Sequence, residues 1–451
     1  MCPSKLTMTL SALDELSRLV AFDTVNDSRR EEQSPECAQY INEKLEQFGF
    51  LTETIESEGH FSAFGRRGQG PFKILFLSHL DTVPVGDRWD SDPFRLRLDG
   101  DKAYGRGACD DKGNVVSLLL LAEKLKESDP PCSVMIAATG DEEAGGRHGA
   151  AVLKDYLVRS GLFPDYVVVA DGIDQQIIYR RRNILPTTIK VRASSRRMRG
   201  HPETVRFETE TFGSQTRHSA YMRPGVDRHA MLTASKFLDL NPYVAVQALR
   251  GGFLAARNVV PDWVELDVLR PDESATEIEY DQALTDAMRA LLALSQAAFP
   301  TKHSDKGKTI SPNSLSLEGD LWTLYCDIRA MTNDGESVKK AIQQSLDGKL
   351  DVFSLKVLSG AGYVETDPDS LLIRSAKWAL GKEGIPTRLI EGFGASDSRF
   401  FAGEGCELFD FGPRGGNTHG PNEWVSLSSI EENAGFFYSL LDVLIRKPPA
   451  L

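Results

Sequence analysis

The 451-residue chain has six cysteines and no CxxC spacing among them: Cys2, Cys37, Cys109, Cys132, Cys326 and Cys406 are scattered. That excludes a disulfide framework and points to a reducing, cytoplasmic setting. No apolar run approaches the roughly 20 residues that span a bilayer. The longest, VVSLLLLA, stops at Glu123, and MCPSKLTMTLSALDELSRLV carries acids where a secretory signal keeps its apolar stretch, so no membrane association is expected. A basic excess is missing as well. Lys and Arg number 52 against 65 Asp and Glu, a net charge of −13, which argues against a dedicated nucleic-acid binder. Solenoid-period repeats and low-complexity tracts are absent. What is present, 41% hydrophobic and 26% charged residues, describes an ordinary globular protein long enough for two or three domains of about 100–200 residues each.

Helical spacing of apolar residues in LSALDELSRLVAF, and again from Pro35 to Phe50, predicts two amphipathic helices. Strand and helix then alternate: KILFLSHL, GNVVSLLLLAEKLKES, CSVMIAAT, HGAAVLKDYLVRSG and DYVVVA. This rhythm predicts an α/β fold, a mostly parallel sheet covered by helices. From Ile184 the pattern changes to alternating runs, TTIKVRA, TVRFETETFG, WVELDVL and LWTLYCDIRAM, with helical stretches from Val226 and Tyr280. Such a segment reads as an inserted α+β domain. The boundaries expected are 1–184, 185–358 and 359–451, with a charged, exposed loop at 302–312.

The chemistry-bearing residues stand where strands end. FLSHLDTVP puts His79 and Asp81 two apart, on one side of the chain. One can bind a metal while the other orients it, although a turn with a solvated Asp has the same pattern. GRGACDDKGN places Asp110 and Asp111 just before a helix; capping explains one carboxylate, and a divalent cation explains two better, with Lys112 and Arg106 as competing neutralisers. AATGDEEAGG sets Asp141, Glu142 and Glu143 after a buried strand, where three acids are costly unless solvated or bound to a cation. Asp171 in VVVADG and His419 in GPRGGNTHGPNEWV complete the series. In an open α/β sheet the strand C-termini face the ligand crevice, so these groups can converge there.

As an ordered set, HLD, ACDDKG, TGDEEAGG, ADG and GNTHGPNE resemble the M20 family of zinc amidohydrolases and peptidases, over roughly residues 70–175 and 362–430. The resemblance implies two zinc ions per chain, with Co2+ or Mn2+ as substitutes. His79 and Asp171 would hold one, Glu143 and His419 the other, and Asp110 would bridge them, followed by a cis peptide bond. It makes Glu142 the general acid/base and Asp81 the residue that orients His79. Cys109 lacks a matched histidine and reads as a packing residue.

The same resemblance makes the insert a lid and dimerisation domain, hence a homodimer. TRHSAYMRPGVDRHAM selects His218 as the lid's oxyanion stabiliser and leaves His229 and His201 as ordinary surface residues. SPNSL with LYCDIRAM suggests Asn313 and Arg329 for substrate binding; RNVVPDWVELDVLRP offers Asn258 and Arg270 for the same role, and the later pair is preferred. GFGASDSRFF implies a substrate loop with Gly394, Ser396, Asp397 and Arg399. The expected substrate is a short peptide or an N-acyl amino acid. Asp171 favours a peptidase, whereas GPNE and ASDSRFF favour a deacylase of the desuccinylase or deacetylase kind. A member of the fold that binds metal without catalysis, serving as a scaffold, is the alternative from another class.

Overall fold

Along the strand Lys73–His79, Ile74 and Phe76 enter one apolar cluster with Val134, Ile136 and Val168, while Leu75 and Leu77 enter a second with Met135, Ala137, Val167 and Val169. Unbroken apolar strands of this kind must be covered on both faces, and they are. In the computed structural model, which describes residues 10–26, 33–86, 88–127, 129–212, 219–223, 225–252, 259–305 and 307–446, the chain divides into two units. The first comprises Met1–Arg180, Val364–Gly392 and Ser396–Leu451; the second comprises Arg181–Tyr363 and Phe393–Ala395.

The first unit is built on a mixed nine-stranded sheet. Its centre is parallel, in the order Ser133–Thr139, Lys73–His79, Tyr166–Val169, Glu407–Asp410. Antiparallel strands flank this centre: the hairpin Leu51–Ser57 with His60–Arg67 on one side, Ile177–Arg181 on the other. One face packs on the helices Ala12–Val20, Glu36–Gln47, Lys112–Lys124, Leu371–Glu383 and Leu427–Arg446, the other on Ala150–Arg159. VVSLLLLA lies in the helix Lys112–Lys124, buried all round as an apolar helix without a polar face must be. Among the described residues no helix is long and apolar enough to cross a membrane.

The second unit interrupts the first in sequence. It has a five-stranded sheet around Leu321–Ala330 and a four-stranded antiparallel sheet around the long strand Ser195–Glu208, with helices Ala230–Leu240, Gln282–Ser295 and Gly335–Leu346. The exposed loop expected at 302–312 is corrected here. Thr309–Glu318 is a strand paired with Leu321–Ala330, its residues Thr309 to Asn313 are buried, and Arg182 grips Asp305 with Nε and Nη2 at 2.7–3.0 Å. The strand accommodates Pro312 by a register shift between Pro312 and Ser314, where a bulge tolerates proline.

Candidate active site

The parallel strands of the first unit bring their C-terminal ends to one edge. His79 closes its strand, Thr139 leads into Asp141, Glu142 and Glu143, and Val169 precedes Asp171 by two residues. Gly172 and Gly412 hold the exits of two neighbouring strands together, since a Cβ on Gly412 would meet the Gly172 carbonyl oxygen at 1.9 Å. Any larger side chain there would part the two loops.

Asp110 is central. Its Oδ1 lies 3.0 Å from His79 Nε2, its Oδ2 lies 3.1 Å from His419 Nε2, and that same His419 nitrogen lies 3.2 Å from Glu143 Oε2. Potential ligand atoms of His79, Asp110 and Glu143 fall within 4.8 Å of one another, as do those of His79, Asp111 and Asp171. The fold thus gathers His79, Asp110, Glu143, Asp171 and His419 in one place. Asp111 is otherwise engaged: its carboxylate accepts from the Ser78 hydroxyl, from the His79 N–H at 3.2 Å and from Asn114 Nδ2 at 2.6 Å. It fastens the strand end to the helix start, and the peptide bond between Asp110 and Asp111 is cis.

Asp81 supports this cluster from behind. His79 Nδ1 faces the Asp81 backbone carbonyl at 3.0 Å and its Oδ1 at 3.4 Å, so Nδ1 carries a hydrogen and the ring is turned with Nε2 toward Asp110. The Asp81 carboxylate also accepts the backbone N–H groups of Glu142 and Glu143, at 3.1 and 3.2 Å.

The donor set suits a divalent cation. Arg106 and Lys112, the two neutralisers near in sequence, are committed elsewhere: Arg106 Nη1 to Glu423 Oε2 at 2.7 Å, Lys112 Nζ to the Phe22 carbonyl at 2.9 Å. Neither bonds to the aspartate pair. Glu143 Oε1 is a buried carboxylate oxygen with no hydrogen-bond partner, an atom whose burial is costly unless a cation satisfies it.

Glu423, carried in the sequence reading only as the last residue of GPNE and given no role there, belongs to this centre. Its buried carboxylate accepts the N–H groups of Gly107, Cys109 and Asp110 at 2.9–3.1 Å as well as the Arg106 guanidinium, and so fixes the loop that presents Asp110. The only signal was a glutamate four residues after His419. Glu423→Ala strands a buried Arg106 and three N–H groups, and is expected to destabilise the protein by about 3–5 kcal/mol, measured by urea unfolding. A change under about 1 kcal/mol, the size of an exposed pair, would contradict this placement.

Protonation follows from the crowding. Burial opposes a charge on His79, but hydrogen bonds to Asp110 and Asp81 and the negative charges nearby outweigh it and hold the imidazole well above its ordinary value. His419 is raised likewise by Glu143 and Asp110 against its burial. Burial pushes Glu143 up to about 7, the His419 charge working against it. Burial also disfavours the Asp110 carboxylate, yet the two imidazoles keep it well below the usual range. Metal ligands must be deprotonated, so if His79, His419 and Glu143 hold a cation, its uptake at neutral pH would displace protons from them and its affinity would rise as pH increases through 7. Calorimetry in buffers of different ionisation enthalpy is expected to show proton release; an affinity independent of pH contradicts the assignment.

The remaining expected residues are placed unevenly. Burial raises the Glu142 pKa, with His79 and Arg399 charges opposing. Asp397 is buried and accepts from Thr139 Oγ1 at 2.8 Å. Ser396 is buried and donates to Asp410 at 2.6 Å, so it fastens the loop. In the second unit, the Gly394 carbonyl accepts from Arg181 at 3.1 Å. Asn313 and Arg329 lie on adjacent strands, both buried, with Arg329 Nε 2.9 Å from Asp327. His218 and Asn258 lie outside the described residues, and Arg270 is an exposed partner of Glu203. His229 is corrected from surface to core: it is buried at the start of Ala230–Leu240 with Nε2 3.2 Å from Ser311 Oγ, and burial takes its pKa down to about 4 against an Asn313 hydrogen bond. His201 is exposed, paired with Asp272. Cys109 is buried in the core.

Comparison with known proteins joins this geometry to a family. The profile of Peptidase family M20/M25/M40 matches residues 75–443. The succinyl-diaminopimelate desuccinylase of Bordetella parapertussis is 34% identical over 169 residues, 36% of this chain, so the match spans 43% of that relative's length. The succinyl-diaminopimelate desuccinylase of Herminiimonas arsenicoxydans is 26% identical over 429 residues, covering 91% of this chain and 94% of that one. Aminoacylhistidine dipeptidase from Vibrio alginolyticus has the same fold, with a TM-score of 0.68 at 15% identity over 96% of each chain. With the profile matched over most of its length, the chain belongs to Peptidase family M20/M25/M40.

Proposed function

We propose that the chain is a two-zinc hydrolase that cleaves an amide bond in a short peptide or an N-acyl amino acid. The observation that carries this reading is the Asp110 carboxylate, whose two oxygens face two different imidazoles at 3.0 and 3.1 Å. In this reading His79 and Asp171 would hold one metal, Glu143 and His419 the other, and Asp110 would serve both, with cobalt or manganese able to substitute. Bound metal supplies Lewis acidity toward the amide carbonyl and acidifies water. Glu142 takes a proton from the attacking water and returns it to the nitrogen of the breaking C–N bond, which leaves as the amine. Asp81 keeps the His79 tautomer and, through two N–H groups, the position of Glu142 and Glu143. Arg399 grips a substrate carboxylate with its planar fork. His218, Asn313, Arg329 and Gly394 belong to the substrate side, His218 as oxyanion donor, with Ser396 holding the loop. The second unit serves as lid and dimer contact in a cytoplasmic homodimer.

A narrower deacylase reading is favoured by the full-length relative named desuccinylase, and a peptidase reading by what the family resemblance implies for an aspartate at Asp171. Amine release by the zinc-loaded protein across N-acetyl and N-succinyl amino acids, dipeptides and tripeptides separates the two. The expected result is chelator-sensitive release from free-amino peptides. Release from acylated amino acids alone moves the assignment to a deacylase, and metal binding without any release favours a scaffold.

A further inference from the structure

Asn26 stands outside every motif, yet one of its atoms joins two of them. Its Nδ2 donates to Asp81 Oδ2 at 2.9 Å and to Asp141 Oδ1 at 3.3 Å. Both carboxylates are buried, Asp81 to 0% and Asp141 to 2% exposure, and among the described residues no Lys or Arg lies within ion-pair distance of either. Buried like charges held this close need a donor between them. The backbone carrying Asn26 is fixed: its N–H bonds the Thr82 carbonyl at 2.8 Å, Val25 bridges to Thr82, and Thr24 Oγ1 donates to the Leu80 carbonyl at 2.7 Å.

The two carboxylates have different duties. Asp81 orients His79 and suspends the N–H groups of Glu142 and Glu143, whereas Asp141 closes the acid loop through its carbonyl to Gly146 at 2.6 Å and its carboxylate to the His148 N–H at 2.7 Å. An amide nitrogen carries two hydrogens, one for each acceptor; a serine hydroxyl has one, and an aspartate has none to give. On the functional reading above, we propose that Asn26 is a positioning residue, locking the His79 support to the Glu142–Glu143 loop so that the two metal positions form together.

Asn26→Asp keeps the shape, removes both donors and adds a third carboxylate. Expected are a loss of about 10- to 100-fold in affinity for the second metal equivalent and a similar loss in kcat, as for other outer partners of metal ligands, with KM changed less than about threefold. Calorimetry and the visible spectrum of the cobalt-loaded protein read the metal directly. Asn26→Ser, with one hydrogen, is expected between wild type and Asn26→Ala. The proposal is overturned if Asn26→Asp takes up two cobalt ions with the wild-type spectrum, or if kcat falls in any variant while the cobalt spectrum and affinity stay unchanged. Should Asn26→Asp fail to fold by circular dichroism, the serine and alanine variants decide: graded metal loss supports the lock, and wild-type behaviour of both removes it. A wild-type protein that binds two metals and hydrolyses amides keeps the functional reading whichever way Asn26 falls.

Discussion

Glu142→Gln is expected to leave the bound metal unchanged and to lower turnover by roughly 10²–10⁴, the range that a positioned general base contributes. Glu142 belongs to neither group of potential ligands, while its neighbour Glu143 does. Its environment suits a proton carrier: burial lifts its pKa and the His79 and Arg399 charges moderate the rise. Glutamine keeps the volume and the hydrogen-bonding edge but cannot accept a proton from water. Metal analysis and steady-state kinetics on the same preparation check both halves. A metal-loaded variant that retained turnover would remove Glu142 from the mechanism.

Asp110→Asn reaches further, because on the proposed reading it would act on both metal positions. The carboxylate offers one oxygen to each imidazole, whereas an amide offers one oxygen and one NH2, so one histidine must face a donor. The negative charge that would balance two cations in the proposed site is lost with it. Two-metal uptake is expected to fail, and activity to fall by more than the roughly 100-fold that loss of an outer partner costs. Elemental analysis after dialysis against zinc reads the stoichiometry. Retention of two tightly held metals with near wild-type kcat would show that Asp110 does not bridge.

The features legible in the sequence are those with local patterns. Period-two and continuous apolar runs mark Lys73–His79, Ser133–Thr139 and Tyr166–Val169, and the acids and histidines after them mark the crevice edge. Contacts over long separations are not legible: Arg106 meets Glu423 across 317 positions, and Asn26 meets Asp141 across 115. A hairpin such as LTETIES with HFSAFGRR hides because its outer strand faces solvent and carries little apolar signal. His229 misleads for the opposite reason. It follows Asp227 and Arg228 in a polar stretch, yet it packs at a helix start against Ser311, on a strand whose own proline disguises it.

The central claim, that Asp110 joins two catalytic metals, is tested most directly by returning zinc stepwise to chelator-stripped protein while following bound metal and amine release together. Two equivalents are expected to bind per chain, full activity is expected to appear only as the second is filled, and chelator is expected to abolish it. Amide hydrolysis by the stripped protein, or two bound zinc ions with no hydrolysis of any peptide or N-acyl amino acid, would contradict it.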